Sequence, residues 1–597
     1  MKIPYGRSNF ADIRRGGFFY VDKTHFLPLL ESAESGYGYL VFLRPRRMGK
    51  SLLLSMLEHY YDLGRAEQFD ELFEGLWVHE NPTAERSRYL ILSFDFSMVV
   101  SDGGPEALRR TFFEAVKARV VRFLLAYQEQ VPRLGWLLDR VDGYQDAEAL
   151  LGMLMPLVEM SGHKLYVLID EYDTFTNALL SAGEEDLYAR VVERTGFIRS
   201  FYRTLKAGTQ SGAIGRIFVT GVSPLLLDDL SSGFNIGYNV SRDHRLNTLA
   251  GLTHADVERA VDVFLAAHPE LAADPRLSDR GALLDVLERS YDGYRFSRSA
   301  AERVFNTDMV LYFLRELARE GRYPDELLDP NVRSDYGRLQ RLGVFTGTAG
   351  SERRALVATI LSEGFIEARL LDQFGARSLS LQDQFISLLY YLGLLTISPE
   401  GSDGETLRLE IPNRVVRELQ WSHLAIMLKE QEGLELDTRE LSEALRSMAV
   451  EGDVEPFLTL FHTRVVKAMG VKVLRQFSEK SIKLMLMTFI SLSRVFHVLS
   501  EKELAQGYCD LFLGVSGFVP MARYGWLLEL KYLQTGASQA QVEAAFAEAE
   551  GQLGRYLSDA SLLPLLTAGR GLKAGSLVFV GAQAVDFRLF RSMEAGR

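Results

Sequence analysis

The chain has 597 residues, 47% of them hydrophobic and 24% charged, with a net charge of −12. That length exceeds what one core supports, and the composition is that of folded globular protein, so several domains are expected and extensive disorder is not. The acidic balance argues against a surface coated for sequence-blind nucleic-acid binding while leaving a local basic groove open, and the single cysteine, Cys509, excludes an intrachain disulfide or a cysteine-based zinc site.

The N-terminal MKIPYGRSNF has no apolar core of the signal-peptide kind. Short apolar runs then alternate with helical stretches. Strands are expected at 39–45 (YLVFLRP), 89–99 (YLILSFDFSMV), 164–173 (KLYVLIDEYD) and 215–225 (GRIFVTGVSPL). Helices are expected after residue 50 and around 105–128 and 185–206. Strands and helices alternating at this spacing imply an α/β fold with a parallel sheet covered on both faces. From about 253 the pattern turns helical: THADVERAVDVFLAAH, RGALLDVLERSYDGY and TDMVLYFLRELARE. Residues 378–397 read as a helix leading to a Gly/Ser/Asp turn, the strand-like TLRLEIP and a further helix from Asn413. That order resembles a winged-helix module.

Helices in 438–468 read as a connector, followed by a long helix at 478–495. The stretch IKLMLMTFISLSRVFHVLS is the nearest approach to a membrane span, but Lys483, Arg494 and several hydroxyls interrupt it. It reads as a buried helix, and no membrane association is expected. The C-terminal part returns to strands GYCDLFLGV, YGWLLELKYL and SLVFVGA, with a helix at 538–557 between the last two. The expected domains are 1–252 (the first α/β domain), 253–345 (a helical lid), 346–470 (a helical connector with the winged-helix-like hairpin) and 471–597 (a second α/β domain).

The first strand ends in Arg44-Pro-Arg-Arg-Met-Gly49-Lys50-Ser51, directly before a helix. Gly49 lets the backbone approach phosphate, Lys50 supplies a point charge, Ser51 offers an oxygen to Mg²⁺, and the helix N-terminus adds aligned N–H dipoles. Position 44 holds arginine where G-x-x-x-x-G-K-[ST] asks for glycine. About 120 residues downstream an apolar strand ends in Asp170-Glu171, acids that such a strand delivers to the carboxyl edge of the sheet, where the loop also ends. Asp170 is read as a Mg²⁺ partner and Glu171 as the group that polarises the attacking water. The fourth strand ends in Thr220 and Ser223, either of which could sense a terminal phosphate. The cofactors expected are ATP and Mg²⁺.

In the C-terminal part Asp510 is followed 19 positions later by Glu529-Leu530-Lys531. Period-2 geometry places Glu529 and Lys531 on one strand face with Leu530 opposite. Asp510 and Glu529 are hard oxygen ligands suited to Mg²⁺, and Lys531 can orient the metal-activated water and stabilise charge on a phosphate. Glu479 or Glu503 could complete the shell, and Gln552 and Tyr556 sit one helical turn apart downstream.

IPYGRSNFADIRRGGFFYVDKTHFLPLL, FLRPRRMGKSLLLSML, LIDEYD, FVTGVSPL and YDGYRFS together resemble the bacterial and archaeal AAA-ATPase-like family, whose members are often fused to a C-terminal PD-(D/E)xK nuclease domain. The resemblance implies that RPRRxGKS is the family's usual phosphate loop and that Arg44, Arg46 or Arg47 serves phosphate or a neighbouring subunit; Arg47 is assigned to the cofactor set, with Ser223. It places Tyr20–Lys23 near the nucleotide base. Pro224 stands where members usually carry arginine, leaving Arg242, Arg245 or Arg295 as substitutes. It also implies a nuclease acting on nucleic acid, with DNA favoured, under control of the ATPase and in defence against foreign DNA. A cytoplasmic setting is expected, and homo-oligomerisation is open. The reading from another class is a nucleotide-switched scaffold whose nuclease-like domain is inactive.

Overall fold

The computed structural model describes the chain except residues 33–37, 100–103, 175–195, 227–235, 275–276, 278, 325, 330–349, 376–380, 401–404, 423–436, 468–478, 494, 505–506, 516–518, 520, 558–570, 582–583 and 594–597. It divides into two compact units, one of residues 1–354 and 367–414, the other of residues 355–366 and 415–597.

In the first unit, continuous apolar runs form β1 (Tyr39–Leu43), β2 (Tyr89–Asp95), β3 (Lys164–Asp170) and β4 (Ile214–Gly221), joined by the two-residue β5 (Tyr238–Asn239). The sheet order is β2-β3-β4-β1-β5, and every pairing is parallel. Leu40 to Leu43 and Leu165 to Ile169 are at most 3% exposed, as strands covered on both faces require. Because β4 lies between β1 and β3, the loop after β1 and the acids after β3 come to one edge across a single intervening strand. Helices Lys50–Tyr61, Gly104–Tyr127, Ala147–Glu159 and Phe197–Ser211 accompany these strands. The helix expected at 185–206 begins at Phe197, and 185–195 lie outside the described residues. The three expected helices beyond 253 are His254–Ala267, Arg280–Tyr291 and Thr307–Glu320. Helix Gln382–Tyr391 then leads to an antiparallel hairpin of β7 (Thr396–Ile397) and β8 (Leu407–Glu410); β6 (Phe365–Ala368) lies where the chain passes between units.

The second unit is built on a mixed sheet of β9 (Phe496–Leu504), β10 (Gly507–Val515), β11 (Tyr524–Leu533), β12 (Gly571–Val580) and β13 (Ala584–Met593), in the order β13-β12-β11-β10-β9. Only β11 and β12 are parallel, joined by the crossover helix Gln539–Tyr556. Ser538 and Gln541 form a capping box at its start. Val542, Ala545 and Phe546 of this helix pack on Val578 and Val580, and Leu553 and Tyr556 pack on Leu527, Leu572 and Ala574. Two expectations need correction. The helix Glu479–Leu492 stops short of 495, and FHVLS belongs to β9, where Phe496 to Ser500 pair antiparallel with Val515 to Leu511 of β10 instead of continuing a helix. The order is therefore helix–strand–strand–strand–helix–strand–strand. Helices Thr438–Val450 and Glu455–Phe461 belong to this unit: Trp526 Nε1 donates to Met448 O, and the Lys573 ammonium donates to Gly452 O.

Candidate functional sites

The phosphate loop turns into its helix through Gly49, whose φ of 94° is a left-handed conformation that a Cβ would strain. Arg47 is also left-handed, with φ 68°, a state that costs a non-glycine residue about 1–3 kcal/mol and persists only where the surroundings hold it. Those surroundings come from the start of helix Thr307–Glu320. Asn306 Nδ2 donates to Arg46 O, Thr307 Oγ1 donates to Met48 O, and the Asp308 N–H donates to Arg47 O. The Asp308 carboxylate also pairs with the Arg47 guanidinium at 3.3 Å. Sequence reading missed this Asn-Thr-Asp clamp; its only signal was an N-cap residue opening a helix.

Lys50 is only 5% exposed, and its ammonium donates to the carbonyls of Arg44 and Pro45 at 3.1 and 3.0 Å. Burial lowers its pKa, opposed by the nearby Glu171, Asp170 and Asp173 carboxylates. Burial pushes Asp170 up to about 6, and the neighbouring Ser51 hydroxyl opposes the rise. Neutral carbonyls around a buried ammonium, and a hydroxyl beside a crowded carboxylate, are arrangements that phosphate and a divalent cation fit, since each supplies the opposite charge the buried group lacks. Arg44 is a different matter. Its guanidinium is sealed between the Phe42 and Phe296 rings and donates to the carbonyls of Leu43, Ser241 and Leu246. It anchors the end of β1, and the expectation that it reaches phosphate or a neighbouring subunit does not hold for it.

Glu171 adopts φ 52°, and its carboxylate accepts the Thr174 hydroxyl. Asp173, which sequence reading passed over although it belongs to the same DEYD run, is fully buried and accepts the N–H groups of Val222 and Ser223. The Tyr172 hydroxyl donates to Ser223 O. A Cβ at Gly221 would collide with Asp173 Oδ1 and the Tyr172 ring, so glycine is required for the two strand ends to lock. Ser223 is thus held in the buried interior of this lock, whereas the buried Thr220 hydroxyl has no hydrogen-bond partner among the described residues. Arg242 pairs with Asp372 and Arg245 with Asp243. Arg295 meets Thr396 through its backbone.

Beside Gly49 opens a small, largely apolar pocket of about 70 Å³, lined by Tyr20, Val21, Met48, Leu53, Leu252 and Leu311 among others, with Lys23 and Thr307 also in its wall. Lys23 is tied to Asp256 at 3.0 Å. Asp22 caps the following turn and accepts the Trp77 N–H.

In the second unit, the antiparallel register of β10 and β11 sets Leu511 opposite Leu528, which brings Asp510 and Glu529 to neighbouring cross-strand positions. Asp510 Oδ2 accepts the Leu530 N–H at 2.9 Å. Glu529 is 2% exposed, and burial followed by the Asp510 carboxylate holds its carboxyl well above the ordinary range. Beside it in register, the buried Ser576 hydroxyl lacks a partner among the described residues, as does Gln552 Oε1. Crowded carboxylates with an unsatisfied hydroxyl beside them suit a hard divalent cation. Lys531 turns to Glu548 on the crossover helix at 2.9 Å, and Lys483 takes Asp510 Oδ1 at 3.2 Å. Glu548 was not singled out from sequence, and Lys483 was read only as a charge interrupting an apolar run; it stands four residues after Glu479, a spacing that could have flagged it for the site. Glu479 lies close enough to Asp510 and Lys531 for both to act on its raised pKa, behind burial as the main cause. The side chain of Glu503 lies outside the described residues. Among the described residues no three His, Cys, Asp or Glu gather as a metal-binding group.

A parallel sheet with a Gly-Lys-Ser loop and a paired acid at one edge defines a P-loop nucleotide-binding protein. The comparisons make the class specific: residues 4–231 match the family described as predicted AAA-ATPase, and residues 477–585 match the PD-(D/E)XK nuclease superfamily. The chain thus carries an AAA-ATPase-like domain in its N-terminal part and a PD-(D/E)XK nuclease-superfamily domain in its C-terminal part. It is 28% identical over 423 residues to an uncharacterized protein in the vnfD 5′ region of Azotobacter chroococcum mcd 1, covering 70% of this chain and 68% of that one. The ORC2 protein of Aeropyrum pernix, solved in ADPNP-ADP complexes, aligns with 71% of this chain and 97% of its own at 14% identity; its TM-score of 0.23 is too low to indicate a shared architecture. Among the described residues no helix is long and apolar enough to cross a membrane.

Proposed function

We propose that the first unit binds and hydrolyses ATP with Mg²⁺, and that the second cleaves phosphodiester bonds in nucleic acid, DNA first, under control of the ATPase. The observation that carries the reading is the sheet order that sets the loop of Gly49, Lys50 and Ser51 beside the acids at the end of β3, close enough for Asp170 and Glu171 to act on the buried Lys50 ammonium. Gly49 and the first N–H groups of helix Lys50–Tyr61 receive the phosphates, and Lys50 exchanges two carbonyls for them. Arg47 lies at the same loop as a further phosphate contact. Ser51 and Asp170 hold Mg²⁺, which supplies charge neutralisation when bound. Glu171 polarises the attacking water, Thr220 or Ser223 senses the terminal phosphate, and the apolar pocket beside Tyr20 takes the purine base.

In the second unit Asp510 and Glu529 hold Mg²⁺, and Lys531 orients the water and faces the scissile phosphate. Company with an ATPase supports a role in defence against foreign DNA. One observation favours a second reading, the nucleotide-switched scaffold: Lys531 is already paired with Glu548. Plasmid, single-stranded DNA and RNA incubated with the protein, with and without ATP and Mg²⁺, separate the two. Cleavage lost in E529A supports the nuclease. No cleavage by the parent on any substrate, or equal cleavage by both proteins, overturns it in favour of the scaffold.

A further inference from the structure

Asp173 closes the acid run after β3, and no step proposed for ATP hydrolysis uses it. It is fully buried, and its carboxylate takes the N–H groups just past the end of β4. Val222 donates to Oδ1 at 3.1 Å and more distantly to Oδ2 at 3.3 Å, and Ser223 donates to Oδ2 at 2.7 Å. Tyr172 adds two bonds to the same strand end, its N–H to Thr220 O at 3.2 Å and its hydroxyl to Ser223 O. On the other side, Asp170 still pairs with Asp95 of β2, and its carbonyl accepts the Phe96 N–H at 3.3 Å. Glu171 alone lies between these two anchorages, and there the backbone turns left-handed, with φ 52°. A glutamate keeps that conformation only where its surroundings over-determine it. The turn that follows is closed by Thr174, whose N–H donates to Glu171 O at 3.1 Å and whose hydroxyl donates to the Glu171 carboxylate.

We propose that Asp173 is a positioning residue that acts through Glu171: by holding the turn after β3 against the end of β4, it fixes the direction in which the Glu171 carboxylate leaves the sheet edge. The proposal rests on the reading of Glu171 as the group that polarises the attacking water. The side-chain type follows from the geometry. Two N–H groups converge on Asp173, and an ionised carboxylate offers them acceptors on both sides without adding a donor. Asparagine has the same shape but sets its NH₂ against one of the two N–H groups, so the lock opens on one side while the core stays filled. Thr220 and Ser223 belong to the same lock, so Glu171 and the strand end proposed to sense the terminal phosphate move as one piece.

The test compares D173N, E171Q and the double variant of the full chain, with ATP affinity read by calorimetry and turnover by phosphate release at saturating ATP. D173N should slow turnover by about tenfold, within the range for misplacing a reacting group, and by no more than E171Q does. Its ATP affinity should be unchanged or slightly tighter, because the substitution removes one of the carboxylates that act on Lys50. Added to E171Q, D173N should cost nothing further, as for residues that act as a unit. Parent-like turnover in D173N, affinity and turnover lost together, or a full additional tenfold loss in the double variant overturns the proposal. If D173N loses its cooperative thermal transition, Y172F carries the test. It keeps the carboxylate and the ring, removes only the bond to Ser223 O, and should slow turnover by about threefold, the effect of one modest hydrogen bond, with parent affinity; parent-like turnover there overturns the proposal. E171Q keeps the two ideas apart. If E171Q turns over at the parent rate, the water-polarising reading fails and the lock fails with it. If E171Q is slow while D173N matches the parent, only the lock fails.

Discussion

Both units bury a lysine at the centre of their chemistry, and both leave it 5% exposed, but they hold it differently. Lys50 rests on two backbone carbonyls of its own loop. Lys483 rests on a carboxylate contributed by another element. A carbonyl is a neutral and replaceable partner, so the Lys50 ammonium has no carboxylate in direct contact, although Glu171, Asp170 and Asp173 lie near it. An ion pair between buried groups is already compensated, so anything entering the second site must replace what it displaces. The first lysine is held by neutral groups, whereas the second is held in an ion pair.

The widest separation between the sites should appear on removing the acids of the second. D510A and E529A should each eliminate phosphodiester cleavage while ATP hydrolysis stays near the parent rate, and the double variant should be no worse than either alone, because the two carboxylates act as one metal-holding unit. Plasmid nicking and phosphate release measured on the same preparations check this, and additive losses would mean that the two acids act separately. K50A should cost about 2–5 kcal/mol of nucleotide affinity, the usual penalty for truncating one partner of a buried charge pair. It should also lower stability by about 1–3 kcal/mol, because the carbonyls of Arg44 and Pro45 lose their donor. Calorimetry and a thermal melt read the two effects, and unchanged ATP affinity would remove the loop from the nucleotide site. E171Q should keep nucleotide affinity while hydrolysis slows about 10²-fold, the share a general base commonly contributes. Parent-like turnover would assign the water to another residue.

The two sites also differ in how far they could be read from sequence. The phosphate loop is local: strand, glycine, lysine, serine and helix follow one another, and apolar runs announced β1 to β4. Helix Ala147–Glu159 went unread although Asp146 caps it, since Pro156 interrupts its pattern. The two-residue β5 is too short to leave a signal. In the second unit the strands of Asp510 and Glu529 were legible, but β9 and β13 were not: β9 carries Glu501, Lys502 and Glu503, and β13 alternates polar and apolar residues around Asp586, Arg588 and Arg591. Their pairing depends on tertiary register. The partners of the site share that origin. Lys483 and Glu548 reach it from helices, at separations of 27 from Asp510 and 17 from Lys531 that no motif encodes. The Asn306–Asp308 clamp lies some 260 residues from the loop it holds.

That clamp gives the smallest expected effect and the closest test of how the first site stores its charge. Asp308 does two things at once: its N–H holds the loop at Arg47 O, and its carboxylate occupies the Arg47 guanidinium. D308N keeps the backbone bond and the side-chain shape but removes the negative charge that competes with phosphate for Arg47. Nucleotide affinity should therefore rise slightly, by up to about 1 kcal/mol for a half-exposed pair of this kind. N306A should act in the opposite direction. It deletes both the helix cap to the Met309 N–H and the bond to Arg46 O, so the left-handed loop loses a support and stability falls by about 1 kcal/mol, with weaker nucleotide binding alongside. Calorimetric affinities for both variants, normalised by their melting curves, give two signs to compare. Opposite signs assign Arg47 to the phosphates and Asn306 to the frame. If D308N weakens binding as N306A does, Asp308 is only part of the frame, and Arg47 leaves the cofactor set.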